Sequence, residues 1–160
     1  MVAASAHGLV KLAEVMGQHL PADSAVAVHA GQPMTWAQFQ ADVGALSVQL
    51  ERFEGQRKAV LYSTDAYPFA VGLMALWRHG FTVCLPGHPG GVPASQTMLW
   101  VGEGGPEGSL PIQIGAPVGG TAPVSAAPMA DPALIVFTSG SNDAPKAVHK
   151  KVSQIGRAHV

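Results

Sequence analysis

LIVFTSGSNDAPKAVHK, residues 134–150, passes from a run of apolar residues into a turn of hydroxyls, glycine and proline, and leaves it through a lysine. A buried strand over 133–137 delivers the chain to Thr138, Ser139, Gly140, Ser141 and Asn142, with Lys146 closing the turn. Hydroxyls and free backbone N–H groups in a tight turn form an anion-binding concavity, and a flexible ammonium adds a point charge suited to phosphate. The stretch is not a Walker A loop. That pattern, G-x-x-x-x-G-K-[ST], needs a second glycine where Pro145 stands and a hydroxyl where Ala147 stands. Taken alone, the same composition also describes a plain turn joining two strands.

Composition limits what such a turn can serve. A chain of 160 residues, 48% apolar, with a mean hydropathy of +0.23, allows one domain with a real core. Charged residues make up 12%, about half the usual share of roughly 25%, and the formal net charge is −1. With no Lys/Arg run interleaved with aromatics, nucleic acid is not an expected partner. No secretory signal and no stretch near the ~18 apolar residues of a membrane span stand out. One cysteine, Cys84, forbids an internal disulfide and suits a cytoplasmic location; in FTVCLP it reads as a buried thiol of a strand. The seven histidines, His7, His19, His29, His79, His88, His149 and His159, show no metal-ligand spacing. No metal is assigned to side chains, and His149 and Lys150 read as a solvated strand end. The G-x-S-x-G elbow of a serine hydrolase is absent.

Upstream, helix and strand alternate, which predicts an α/β fold. Leu9, Val10, Leu12, Ala13, Val15 and Met16 suggest a first amphipathic helix. AVAVHAGQPMT reads as a hairpin turning at Gly31-Gln32. Thr35 with Gln38 forms a capping-box pattern before Trp36, Phe39, Val43, Leu46, Leu50 and Phe53, spaced by threes and fours as a core stripe. KAVLYS (58–63), a helix capped by Thr64 or Asp65 with Phe69, Ala70, Leu73, Met74, Leu76 and Trp77 on one face and Gly80 past its end, and FTVCLP together make a βαβ unit, hence a parallel sheet. More than half of the chain's glycines and prolines then fall within residues 86–132. Strands at TMLWV (97–101) and PIQI (111–114) are expected inside that region, and a Gly/Pro/Ala-rich exposed loop over 115–130.

FTSGSNDAPKAVHK resembles the signature loop of the adenylate-forming superfamily (acyl- and aryl-CoA synthetases, luciferases and nonribosomal adenylation domains), aromatic-T-S-G-[ST]-T-G-x-P-K-[GA]. Phe137, Thr138, Ser139, Gly140, Ser141, Pro145, Lys146 and Ala147 match, while Asn142 and Asp143 replace the usual Thr and Gly. MTWAQFQADVGALSVQL (34–50) is similar to the family's T-Y-x-E-L helix, so the resemblance extends over nearly the whole chain. It implies the N-terminal part of that fold, a mostly parallel sheet with flanking helices. It also implies an ATP- and Mg²⁺-dependent ligase that adenylates a carboxylic acid, loses pyrophosphate and passes the acyl group to the thiol of CoA or of an acyl carrier protein. Thr138, Ser139, Gly140, Ser141, Asn142 and Lys146 would hold the ATP phosphates. Asp143 brings a negative charge toward them, which weakens binding unless it faces solvent or Lys146. KAVHK-x-x-x-Q (146–154) is similar to bacterial ligases of fatty-acid and aryl-polyene clusters, which implies a fatty or aromatic acid.

The family's adenine, Mg²⁺, ribose and C-terminal lysine motifs lie beyond this loop. The expectation is therefore a truncated N-terminal portion over 1–154, inactive alone, with an open sheet edge that lowers solubility. IGRAHV (155–160) is the translation of ATC GGA AGA GCA CAC GTC, the opening of a common sequencing adaptor, and is expected to be a non-native tail without function. The alternative to a ligase fragment is a non-catalytic α/β module that holds a nucleotide or a partner. Loss of ATP-analogue binding on Lys146→Ala fits either, whereas adenylate formation fits only the ligase.

Overall fold

The computed structural model describes residues 20–92, 98–120, 131–138 and 146–154, Thr138 by its backbone alone. The N-terminal helix expected over residues 9–16, the 155–160 tail and the loop residues Ser139, Gly140, Ser141 and Asn142 lie outside the described residues.

Strand β1 (Ala25–His29) and strand β2 (Gln32–Thr35) form an antiparallel hairpin. It turns at Ala30 and Gly31, both at positive φ, one residue earlier than the sequence suggests. Thr35 is extended and accepts a hydrogen bond from the Gln38 backbone N–H, which starts α1 (Trp36–Leu50). The capping box is only half formed. Gln38 does not reach back to Thr35; its Nε2 donates to Asp42 Oδ1 and to the Ala116 carbonyl. As the spacing requires, Trp36, Phe39, Val43, Leu46 and Leu50 are buried.

After β3 (Lys58–Tyr62), Asp65 accepts from the Tyr67 N–H and opens α2 (Ala66–Arg78). Gly80, at φ +75°, lets the chain leave the helix and enter β4 (Thr82–Leu85). β5 (Leu99–Gly102), β6 (Ala133–Thr138) and β7 (Lys146–Lys151) complete a five-stranded sheet in the order β5-β3-β4-β6-β7. All pairings are parallel except β6 with β7. The fold is therefore α/β with a mostly parallel sheet and flanking helices.

Period-two alternation sorts the side chains onto two faces. Ala59, Leu61, Val83, Leu99 and Val101 meet α1 and α2 on the first, and Val60, Cys84, Trp100 and Ile135 pack together on the second. Gly72 lets α2 approach the first face closely, since a Cβ there would stand 2.6 Å from Leu61 Cδ1 and 2.9 Å from Ile112 Cδ1. Cys84 is buried as expected, and burial pushes its thiol pKa up, so it is a poor nucleophile.

One expectation needs correction. PIQI is not a strand. Leu110 makes one bridge to Val101, clasped by Gly102 N–H to Leu110 O (2.8 Å) and Leu110 N–H to Trp100 O (2.9 Å), and the ladder stops there. Beyond it Ile112 and Ile114 pack against the core without strand partners, because the chain leaves the sheet to run toward the helices. The described start of the loop over 115–130 is exposed at Gly115 and from 117 to 120, although the Gly115 and Ala116 N–H groups are tied to Asp42. Its residues 121–130 lie outside the described residues. The expected strand at 97–101 is present but displaced, as β5.

Candidate functional site

The connections leaving β3 and β4 go to opposite faces of the sheet. β3 leads into α2 on the first, while Val92, downstream of β4, packs on the second. In open α/β sheets such divergence leaves a crevice at the carboxyl ends of the strands, where ligands bind. The residues that end β3, β4, β5 and β6 there are Tyr62, Leu85, Gly102 and Thr138.

Thr138 and Lys146 are direct cross-strand partners, so residues 139–145 leave and rejoin the sheet at one point on this rim. Of the six residues expected to hold phosphate, the structure thus brings two together in the backbone ladder. Lys146 is exposed, as are His149 and Lys150 farther along β7. An exposed ammonium at the carboxyl edge of a parallel strand suits an anion.

The opposite side of the rim is acidic. Glu103, just past β5, accepts from the Thr64 N–H (3.2 Å), from Thr64 Oγ1 and from Ser63 Oγ (3.1 Å), and so ties the β3–α2 loop to the β5 end. The Thr64 backbone bond, then the Thr64 and Ser63 hydroxyls, hold its carboxyl below the usual range. Asp65 is lowered likewise, chiefly by the Tyr67 N–H and less by His29, whose Nδ1 lies 2.8 Å from Asp65 Oδ2. At roughly 4.8 Å per strand, β5 and β7 are some 19 Å apart, beyond the ~8–10 Å range of screened charge. Glu103 therefore does not cancel the field at Lys146. Among the described residues no group of three His, Cys, Asp or Glu side chains could hold a metal ion.

Sequence reading missed a further polar node. Asp42 lies in the α1 core stripe at 0% exposure, and its four donors come from α1, α2 and the segment at Gly115. Its position between Ala41 and Val43, both buried, was the available signal.

No family model matches the chain, and no curated protein matches it. Solved structures do. The N-terminal subdomain of NpsA from Klebsiella oxytoca matches with TM-score 0.56 at 16% identity, over 88% of this chain and 41% of that one. An E. coli MenE variant with bound OSB-AMS matches with TM-score 0.60 at 16% identity, over 82% and 32%. O-succinylbenzoate coenzyme A synthetase (MenE) from Bacillus subtilis, in complex with AMP, matches with TM-score 0.60 at 14% identity, over 88% and 33%. At these identities the likeness is one of fold. The chain spans between about a third and two fifths of the length of these structures. No helix among the described residues is long and apolar enough to cross a membrane.

Proposed function

We propose that this chain is the phosphate-binding, N-terminal portion (residues 1–154) of an ATP-dependent ligase. Such a ligase adenylates a carboxylic acid, releases pyrophosphate and hands the acyl group to a thiol of CoA or of an acyl carrier protein, in the cytoplasm. The observation that carries the reading is the Thr138–Lys146 pair, which holds both ends of the TSGSNDAPK turn at the carboxyl rim of a sheet with this fold. Thr138, Ser139, Gly140, Ser141, Asn142 and Lys146 would cradle the β- and γ-phosphates of Mg-ATP. Their work would be to orient the leaving pyrophosphate and disperse its charge as the acid's carboxylate attacks the α-phosphorus. An aromatic or fatty acid is the substrate class. Solved neighbours in complex with anthranoyl-AMP, 3-hydroxyanthranilyl-AMSN and the acyl-adenylate OSB-AMP support the aromatic member.

The test is a titration of the chain with a fluorescent ATP analogue and Mg²⁺. Saturable binding that weakens about tenfold or more in Lys146→Ala supports the reading, because one charge-assisted phosphate contact has about that worth. Binding indifferent to Lys146 defeats it. Pyrophosphate exchange should be absent from this chain alone, and exchange at a measurable rate would show that these residues suffice for catalysis.

A further inference from the structure

We propose that Asp42 is a latch, a buried carboxylate of α1 that holds residues 110–116 closed as a strap running from the outer edge of β5 to the helices. The inference is independent of the ligase reading.

The strap has two fastenings. Its first is the Leu110 clasp to β5, in which Gly102 and Leu110 donate to the carbonyls of Leu110 and Trp100. Its second is Asp42. Oδ1 accepts from the Gly115 N–H (2.9 Å), the Ala116 N–H (2.8 Å) and Gln38 Nε2 (3.0 Å), while Oδ2 accepts from the Tyr67 hydroxyl (2.8 Å). Gln38 Nε2 also donates to the Ala116 carbonyl at 2.8 Å, so the peptide around Ala116 is gripped by both its donor and its acceptor. Between the fastenings, Ile112 fills the space left by Gly72 on α2, and Ile114 packs on the same core.

A carboxylate is an expensive group to bury, and it is retained where several donors converge on it. Gln38 and Tyr67 satisfy only part of its accepting capacity, and the strap amides supply the rest. Gly115 sits at φ +94°, a backbone state favoured by glycine, and this turn presents two successive N–H groups to one oxygen. Helix, carboxylate and turn thus form one device. When the strap lifts, Asp42 loses two donors, so opening is opposed by electrostatics as well as by packing.

The test is amide hydrogen exchange on the full 160-residue chain, comparing wild type, Asp42→Ala, Asp42→Asn and Val43→Ala. Val43 is buried in the same helix and its side chain can make no hydrogen bond to the strap, so it reports loss of core packing. Asp42→Ala should speed exchange at Gly115 and Ala116 about ten- to a hundredfold, with smaller change at Val60 and Val83 in the central strands. Asp42→Asn keeps one accepting oxygen and should give a smaller acceleration at the same amides. If Asp42→Ala does not fold, Asp42→Asn and Gln38→Ala carry the test, the latter releasing the Ala116 carbonyl and one donor of Asp42 while leaving both strap amides bonded to the carboxylate. Unchanged protection at Gly115 and Ala116, or acceleration uniform over all strands as in Val43→Ala, overturns the latch.

Discussion

At β5 the outward-facing backbone is met at one bridge by the strap, through Leu110 just past the loop that follows Gly102, whereas β7 has no further strand among the described residues and displays Lys146, His149, Lys150 and Lys151 instead. One edge is covered by atoms and the other is guarded by charge. An open edge invites pairing with another chain, and lysine is among the side chains that discourage it. The two solutions differ in what they depend on. Cover at β5 needs a glycine conformation, apolar packing and a carboxylate on a remote helix. Charge at β7 needs only local sequence, and it weakens as salt rises. Among the described residues the open edge expected from sequence is seen at β7, while β5, the other edge, carries the one bridge to the strap.

The largest effect should come from Gly102→Ala. Gly102 is at φ +102°, and a methyl there would collide with the Tyr62 carbonyl oxygen, so both strain and clash fall on the point where β5 hands over to the strap. A loss of about 3 kcal/mol in urea unfolding is expected. A loss below about 0.5 kcal/mol, within the range of an ordinary surface change, would show that this edge tolerates rearrangement. Ile112→Ala should cost less, about 1.5 kcal/mol, because its side chain is only partly buried. It should also raise exchange at the Leu110 amide more than at β4.

Replacing Lys150 and Lys151 together by valine should leave stability within about 0.5 kcal/mol while making sedimentation concentration-dependent. A doubly substituted chain that stays monomeric at all concentrations would mean that charge does not guard β7. The smallest effect concerns Glu103. Its folded pKa is depressed, so its contribution is present above the unfolded value and is lost as pH falls through the lower, folded one. Wild type should therefore lose urea resistance between about pH 5 and 3, and Glu103→Gln should lose less. Parallel pH profiles would show that the Ser63–Thr64 loop is indifferent to the carboxylate.

The βαβ unit and the stripe on α1 were legible because they rest on local spacing. Trp36, Phe39, Val43, Leu46 and Leu50 repeat at helical intervals and are buried accordingly. Thr138 and Lys146 were legible as ends of a turn, since the apolar run before them and the proline between them mark it. PIQI misled because alternating apolar residues describe an extended chain against a core equally well, whether or not strand partners exist. Asp42 was illegible for a different reason. Its partners at Gly115 and Ala116 are more than seventy residues away, and a carboxylate between two apolar residues states no partner. His29 was likewise set aside, although its ring meets Asp65 and lies 5.6 Å from Tyr67.

The antiparallel ladder between β6 and β7 joins Thr138 to Lys146 before any ligand arrives. The conformational cost of bringing the two ends of residues 139–145 together, which varies only slowly with length, is therefore met by the sheet as it folds. Sequence inside the ring is released from that duty. Asn142 and Asp143, the two departures from the familiar pattern, both fall within it, so substitution at either leaves the Thr138–Lys146 pairing that closes the ring in place.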